Sequence, residues 1–272
     1  MDTWRWHSWN GLPYLTCSLL ESFPHGFFTQ QFAPRVPADL VDVIHPAAQV
    51  YRVKQVHGNT VLTPTEVDQS LTNSEAIAPD LDTLLFPPAD GLVTEQHTQA
   101  VWVCTADCVP VLIADTETGQ VAAVHAGWRG TAAEIVPQAI ARLQERGSQL
   151  HNLRVALGPA IAGEVYQVAD TVAAQVGVTV LKEAIAPADE TDVLQILDVL
   201  QQLPESPVLS DPEPGKARLD VRRVNALQLE RLGLQPEQVA IAPYCTYQHE
   251  DRFFSYRRSS QKKVQWSGIV SI

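Results

Sequence analysis

Residues 99–127, QAVWVCTADCVPVLIADTETGQVAAVHAG, decide the fold of this chain. Their short, Val-rich apolar runs end at turn residues, a pattern that predicts buried β-strands. Residues 115–119, DTETG, form a polar stretch that ends in glycine and has the length of a β-hairpin turn. The segment therefore predicts an antiparallel hairpin, and GLVT at residues 91–94 predicts a further strand before it.

The hairpin brings a cysteine and a histidine to comparable positions on its two arms. We set the register by pairing Ala114 with Gly119 across the turn. In that register, Cys108 and His125 lie opposite each other or one diagonal step apart. Directly opposed Cβ atoms in an antiparallel pair are about 4.5–5.5 Å apart, so a thiolate and an imidazole there could bind one metal ion. Pro110 adds the expectation of a bulge that aims Cys108 off the ladder.

His57 is the candidate for a third metal ligand. It lies in QVHGNT, residues 55–60, where Gly58 and Asn59 indicate a turn. Zinc accepts one thiolate and two imidazoles, and a site with three protein ligands leaves a fourth position open for water or substrate. The spacing of the three residues is weakly specific. The alternative, a buried thiol and a hydrogen-bonded strand histidine, therefore stays open.

A candidate anion site follows the hairpin directly, in the segment AGWRGT at residues 126–131. Arg129 supplies a planar, permanently charged guanidinium. The S/T-x-x-E pattern of Thr131 and Glu134 predicts a capping box at the start of a helix, and helix N-termini bind phosphate. Pro137 in the second turn should kink that helix or shift its start. The alternative is an ordinary strand-to-helix turn with a surface arginine.

The remainder of the chain alternates helical periodicity with short strand-like runs. Residues 63–90 are rich in turn formers and predict a long surface excursion between two β regions. Helices interspersed with strands of mixed direction predict an α+β or α/β sandwich with the helices outside the sheets. Apolar residues at helical spacing cover residues 132–147, 168–176, 191–203 and 220–233, and strands are predicted at residues 239–242 and 252–258.

Composition places the chain among ordinary globular proteins and excludes several partners. Its 272 residues, 45% of them hydrophobic, can bury a large core without a protein partner, and we expect one domain over residues 1–272. A formal net charge of −12 argues against sequence-independent binding to nucleic acid or to an anionic membrane. No apolar run reaches the roughly 18 residues of a membrane span, and the N-terminal residues lack the apolar core of a signal peptide. With only four cysteines, the expected location is the cytoplasm.

Four stretches of the sequence carry a family resemblance: KQVHGNTV at residues 54–61, TADCVPVLIAD at 105–115, VAAVHAGWRGT at 121–131 and PYCTYQHEDRFFSYRR at 243–258. In this order they resemble the laccase-domain (YfiH-like) family. The resemblance implies a single laccase-type catalytic domain over residues 1–272, folded as a layered α/β/β/α sandwich of mixed β-sheets with helices outside. It also implies a zinc ion bound by His57, Cys108 and His125, for which copper could substitute.

The resemblance implies an enzyme that acts on purine nucleosides. The expected activities are phosphorolysis of adenosine, inosine and S-methyl-5′-thioadenosine to the free base and a ribose 1-phosphate, and hydrolytic deamination of adenosine to inosine. On this interpretation the three metal ligands are catalytic, and Asp107, beside Cys108, is the expected proton carrier. Arg129, Thr131 and Arg257 are expected to bind substrate or phosphate.

Three other functions compete with this interpretation. A multicopper oxidase of phenols needs many paired histidines, whereas this chain has eight and none in an H-x-H pair. Oxidase activity would instead come from copper that displaces zinc, as the usual affinity order permits. A metal-free hydrolase could use the imidazole of His125 to activate the thiol of Cys108 for acyl transfer. A non-catalytic binding module, with purely structural histidines, is the third alternative.

Overall fold

A six-stranded sheet forms one of two central layers in the computed structural model, which describes residues 3–72, 86–181 and 190–272. We number strands and helices in chain order. Across this first sheet, the order is β1 (Trp4–Trp9), β2 (Leu12–Cys17), β3 (His25–Phe28), β15 (Gln265–Val270), β7 (Gln99–Thr105) and β4 (Gln49–Tyr51).

A second six-stranded sheet contains the hairpin that the sequence predicts. Its order is β14 (Val239–Ile241), β10 (Leu153–Leu157), β8 (Val109–Asp115), β9 (Val121–Ala126), β6 (Gly91–Val93) and β5 (Val61–Leu62). A small antiparallel sheet adds β11 (Gln167–Ala169), β13 (Lys216–Leu219) and β12 (Val208–Ser210). Both large sheets mix parallel and antiparallel pairs, as the sequence predicts.

Eight α-helices accompany these sheets within the described ranges. They are α1 (Pro37–Ile44), α2 (Pro64–Thr72), α3 (Trp128–Ala132), α4 (Ile135–Glu145), α5 (Asp170–Gly177), α6 (Glu190–Gln201), α7 (Val221–Leu232) and α8 (Tyr256–Ser259). In the part of the chain that the structure describes, none of them has the length and apolar character that a membrane crossing requires.

Side chains alternate between two cores along the central strands. In β8, Val111 and Ile113 pack in a core that includes residues of α4 and α7, whereas Leu112 packs in the core between the two large sheets. In β7, Val103 packs in that same intersheet core, whereas Trp102 packs in a third core with residues of α1. Since successive strand residues face opposite sides of a sheet, the layers follow the predicted α/β/β/α order.

The β8–β9 hairpin forms as predicted, but its register differs by two residues. Ala114 pairs with Val121 instead of Gly119, and the turn is closed by Asp115, whose N–H donates to the carbonyl of Gln120 (2.9 Å). Gly119 adopts a φ of 74°, which suits glycine.

Pro110 does not produce the expected bulge. It lies directly opposite His125 in a continuous ladder. The N–H of His125 instead donates to the carbonyl of Asp90 (2.7 Å), and the carbonyl of Pro110 accepts from Gly158 (2.8 Å). Pro110 and His125 thus form their backbone hydrogen bonds with residues on the far sides of β8 and β9 and not with each other. Proline is therefore tolerated here, because no N–H from it is needed to bond β8 to β9.

The predicted capping box at Thr131 and Glu134 is wrong. Residue 134 has a left-handed φ of 54° and separates α3 from α4, and its side chain makes no capping hydrogen bond. Thr131 lies inside α3, fully buried. Pro137 falls in the first turn of α4, so the alternative expectation of a shifted helix start is confirmed.

A capping box does occur at the start of the segment that predicts a surface excursion. The hydroxyl of Thr63 accepts from the N–H of Glu66 (3.3 Å), and a carboxylate oxygen of Glu66 accepts from the N–H of Thr63 (2.7 Å). The excursion therefore begins with α2, which corrects the expectation of irregular structure there. Residues 73–85 of the predicted excursion lie outside the described residues.

The strand predicted at residues 252–258 is also wrong, because this segment forms turns and the short helix α8. The hydroxyl of Ser255 caps α8 by accepting from the N–H of Arg258 (3.2 Å). The guanidinium of Arg258 donates to the carbonyls of Thr246, Tyr247 and Phe253 at 2.7–2.8 Å. These bonds fold the segment back on itself, where a strand would extend it.

His25 is a buried histidine of β3 whose two ring nitrogens both have partners. Nδ1 donates to the carbonyl of Phe23 (2.7 Å), and Nε2 accepts from the N–H of Cys17 (2.8 Å). A second ring proton would point at the N–H of Cys17. Burial lowers the pKa of His25 to about 4.

We expect His25 to make the fold sensitive to acid. Its pKa is 6.5 in the unfolded chain and about 4 in the folded one, so the unfolded chain binds the proton first and stability falls as the pH drops from 6.5 towards 4. Lowering the pH from 7.5 to 5 should cost about 2 kcal/mol through this residue. Urea unfolding of wild type and His25→Gln at both pH values measures the difference. The exposed His151→Gln variant should keep the wild-type dependence, and equal dependence in His25→Gln would contradict the assignment.

Candidate metal centre and active site

Three side chains from separate parts of the chain converge where β8 begins and β9 ends, in the middle of the second sheet. The ligand atoms of His57, Cys108 and His125 all lie within 4.8 Å of one another. The two imidazole rings are 4.8 Å apart between centroids and nearly perpendicular, at 82°. His125 is buried, Cys108 is half-buried and His57 is exposed. In the ranges searched, 3–72, 86–181 and 190–272, this is the one such group of three or more His, Cys, Asp or Glu side chains.

The hairpin places two of these side chains on the same face of the sheet. Since Pro110 is opposite His125, the residue two positions before it, Cys108, is the diagonal neighbour of His125. The sequence expectation of opposite or diagonal placement is therefore met by the diagonal arrangement.

The carboxylate of Asp90 fixes the orientation of His125. Asp90 is fully buried, and its Oδ1 lies 2.8 Å from Nδ1 of His125. Because a carboxylate accepts, the proton on His125 belongs on Nδ1, which leaves Nε2 free for a ligand. Burial alone would raise the pKa of Asp90, but hydrogen bonds from His125 and the backbone hold it below its ordinary value.

The same carboxylate also holds the loop that carries His57. The N–H groups of Val56, His57 and Gly58 donate to its two oxygens at 3.2, 2.9 and 2.6 Å. His57 has a φ of 61°, a left-handed conformation that is costly for a residue with a Cβ. Three hydrogen bonds to one buried anion compensate for that cost and keep the imidazole beside the other two ligands.

Charge coupling in the centre favours a thiolate beside an imidazolium, and a metal ion would displace the proton on Nε2 of that imidazolium. Burial alone would raise the pKa of Cys108, but the charge of His125 and hydrogen bonds from both imidazoles lower it to about 6. Burial alone would lower the pKa of His125, but the charge of Cys108 and the hydrogen bond to Asp90 raise it to about 9. The sulfur is therefore readily available in the form that binds metals.

A small cavity of about 30 Å³ lies against Cys108, lined by Asp107, Cys108, Ala126, Gly127, Trp128, Ile161, Tyr166 and Val221. Two of these lining residues are aromatic, and each ring is covered by a guanidinium. Arg129 lies 4.2 Å from the centroid of Trp128, and Arg257 lies 4.7 Å from that of Tyr166. Burial and the negative charge of Cys108 raise the pKa of Tyr166 to about 12, with Arg257 opposing the rise.

The residues predicted to bind phosphate occupy different environments. Arg129 and Arg257 are exposed near the cavity. Arg257 also donates from Nη1 to the carbonyl of Gln167 (2.9 Å). Thr131 is fully buried, and its hydroxyl accepts from the amide of Asn225 (3.0 Å). Phosphate contact by Arg129 and Arg257 therefore stays a prediction, whereas the buried Thr131 is engaged with Asn225.

Asp107 lies beside Cys108 with both carboxylate oxygens engaged. Oδ1 accepts from the hydroxyl of Thr246 and Oδ2 from the N–H of Arg257, both at 2.7 Å. Its φ is 98°, so this turn too has a left-handed backbone. These contacts tie the segments around residues 246 and 257 to the turn that carries Cys108. Proton transfer by Asp107 stays a prediction. Both of its carboxylate oxygens already accept a hydrogen bond.

Sequence reasoning missed two residues that the structure places at the centre. Asp90 was not singled out, although it stands in ADGLVT next to a predicted strand, where a carboxylate facing a strand histidine could have been suspected. Tyr166 lies in AGEVYQV at residues 162–168, a stretch in which sequence reasoning identified no site residue.

Comparisons with known proteins identify the family of this chain. A family model described as multi-copper polyphenol oxidoreductase laccase matches residues 38–270. A purine nucleoside phosphorylase of Synechocystis sp. is 52% identical over 270 residues, which cover 99% of this chain and 98% of the relative. The adenosine deaminase RL5 of an unknown prokaryotic organism is 28% identical over 226 residues, which cover 83% of this chain and 73% of that protein.

A solved structure shares the fold. The crystal structure of YlmD from Geobacillus stearothermophilus aligns with a TM-score of 0.76 at 23% sequence identity, over 98% of each chain. The mixed α+β architecture and the family resemblance expected from the sequence are thus confirmed. With a family model that spans most of its length and a relative that is 52% identical end to end, this chain is an enzyme of the multi-copper polyphenol oxidoreductase laccase family.

Proposed function

We propose that this enzyme is a zinc-dependent purine nucleoside phosphorylase that cleaves adenosine, inosine and S-methyl-5′-thioadenosine and also deaminates adenosine. The observation that carries the proposal is the convergence of His57, Cys108 and His125 within 4.8 Å. The 52% identical relative, named a purine nucleoside phosphorylase, supports the substrate class. The more distant relative named an adenosine deaminase supports the second activity.

The donor set fits zinc. Two imidazoles and one thiolate are ligands that zinc accepts in catalytic sites with an open fourth position, and copper also binds such ligands. Gly127 leaves room next to the three side chains. A Cβ at this position would lie 2.9 Å from the sulfur of Cys108 and 3.4 Å from a ring carbon of His57. A side chain at this position would crowd the ligands. Glycine keeps the volume between them open.

When bound, zinc would supply Lewis acidity to a group in its open coordination position. The chain itself supplies orientation and charge. Asp90 holds a proton of His125 on Nδ1, so Nε2 would be the nitrogen that binds the ion. Arg129 and Arg257, next to the cavity, provide positive charge for a phosphate that would otherwise meet a chain of net charge −12.

Phosphorolysis would use the two arginines most directly. An oxygen of phosphate attacks C1′ of the ribose, the C1′–N9 bond breaks, and its electron pair leaves with the purine. The base gains the proton that monohydrogen phosphate loses, so the products are the free base and ribose 1-phosphate. Guanidiniums that hold phosphate in line with C1′ would lower the barrier by positioning. In deamination, water adds at C6 of adenine and ammonia leaves.

The test is to purify the protein without a histidine tag, measure bound metals, and incubate it with adenosine in the presence and absence of phosphate. Adenine that appears only with phosphate supports phosphorolysis, and inosine formed without phosphate supports deamination. No product from any nucleoside with zinc fully loaded would overturn the proposal. Oxidation of a phenol by the copper-loaded protein, with no nucleoside turnover, would favour the oxidase alternative instead.

Cys108→Ala should lose both zinc and turnover, because the thiolate is the anionic ligand among the three. Metal analysis and product chromatography measure the two losses on the same sample. Cys17→Ala is the matched control, since Cys17 is equally a free cysteine but lies buried in β2 of the other sheet. Retention of zinc or of turnover by Cys108→Ala would break the proposed link between metal and catalysis.

Asp90→Asn should weaken zinc binding about 10- to 100-fold, because the amide cannot hold the imidazole of His125 as the carboxylate does. Competition with a chromogenic chelator measures the affinity. Asp115→Asn is the control, since Asp115 is also a fully buried aspartate that accepts backbone N–H bonds, in the hairpin turn. Equal zinc affinities in the two variants would show that Asp90 does not orient a ligand.

Gly127→Ala should reduce zinc affinity without unfolding the protein, because its backbone (φ −75°) suits any residue and only the added methyl group crowds Cys108. Gly58→Ala places a methyl group in the His57 loop with no contact closer than 3.5 Å, so it should bind zinc normally. Chelator competition and thermal melting of both variants test this. Normal zinc binding by Gly127→Ala would contradict a metal at this place.

A further inference from the structure

The hydroxyl of Tyr166 has no hydrogen-bond partner among the residues that the structure describes. Its ring lines the small cavity together with Cys108. The backbone of Tyr166 is held on both sides, because its N–H donates to the carbonyl of Gly163 and its carbonyl accepts from Leu219, both at 3.1 Å. A tyrosine with a fixed backbone, whose hydroxyl has no partner among the described residues, therefore lines the cavity beside Cys108.

The ring is also fixed from one face. The guanidinium of Arg257 lies 4.7 Å from the ring centroid. Arg257 is itself anchored, since its Nη1 donates to the carbonyl of Gln167 and its N–H to the carboxylate of Asp107. The attraction between the cation and the ring face helps to hold the ring in its place.

The hydroxyl lies within electrostatic reach of four charged groups: Cys108, Asp107, Arg129 and Arg257. The two arginines are the cations proposed above to bind phosphate. The thiolate belongs to the metal centre. A phenol near both arginines can donate to an oxygen of an anion that also touches the guanidiniums.

We propose that Tyr166 is the third donor of the phosphate subsite and so determines whether phosphate or water reacts with the bound nucleoside. This inference rests on the proposed function and deepens it. Phosphorolysis needs an anion held by Arg129, Arg257 and the Tyr166 hydroxyl together. Deamination uses water at the purine ring and does not need this subsite.

Tyr166→Phe should raise the KM for phosphate about 10- to 100-fold, the effect of losing one hydrogen bond to a charged group. Inosine formation in the absence of phosphate should change by less than about threefold, because no phosphate contact is involved. The ratio of adenine to inosine at fixed phosphate should therefore fall. Zinc content should stay at the wild-type level, since Tyr166 is not a ligand.

The matched control is Tyr14→Phe, because Tyr14 is a half-buried tyrosine of β2 in the other sheet. Titration calorimetry of inorganic phosphate into zinc-loaded wild type, Tyr166→Phe and Tyr14→Phe measures the subsite without turnover. Weaker phosphate binding in Tyr166→Phe alone supports the proposal. Unchanged phosphate affinity, no phosphate binding by wild type, or loss of zinc from Tyr166→Phe would overturn it. If wild type binds phosphate but converts no nucleoside, the proposed function fails while the calorimetry still decides the role of Tyr166.

Discussion

The buried carboxylate of Asp90 is the group on which the positions of both His57 and His125 depend. Its oxygens accept from the imidazole of His125 and from three successive N–H groups in the His57 loop. The sheet itself brings these groups together, because the N–H of His125 also donates to the Asp90 carbonyl where β6 pairs with β9. A single residue at a strand end thus links backbone pairing, loop conformation and ligand orientation. Unpaired, its buried charge would be strongly destabilising.

The hairpin could be predicted because strand and turn signals are local in sequence. The register could not be set to the residue, since Asp115 rather than Ala114 closes the turn with Gln120. The error was two residues, and side chains alternate with a period of two, so Cys108 and His125 still came out on one face. An error of one residue would have separated them.

Contacts between distant segments account for the predictions that failed. The same four-residue capping pattern occurs at Thr63 and at Thr131, but only Thr63 caps a helix. Thr131 is instead buried, and its hydroxyl accepts a hydrogen bond from Asn225, 94 positions away in the sequence. Asp90 was missed for the same reason, because its importance comes from a strand 35 positions on. No local propensity distinguishes such residues from their counterparts in ordinary turns.

Cys108, His125 and Asp90 together have the order of groups that a thiol hydrolase uses, with the carboxylate on one ring nitrogen and the sulfur near the other. That trio alone does not decide between nucleophile and metal ligand. His57 decides it. A second imidazole within 4.8 Å of the sulfur has no task in acyl transfer, and its left-handed backbone is held at an energetic cost. Three converging donors around the space kept open by Gly127 are what a metal ion requires.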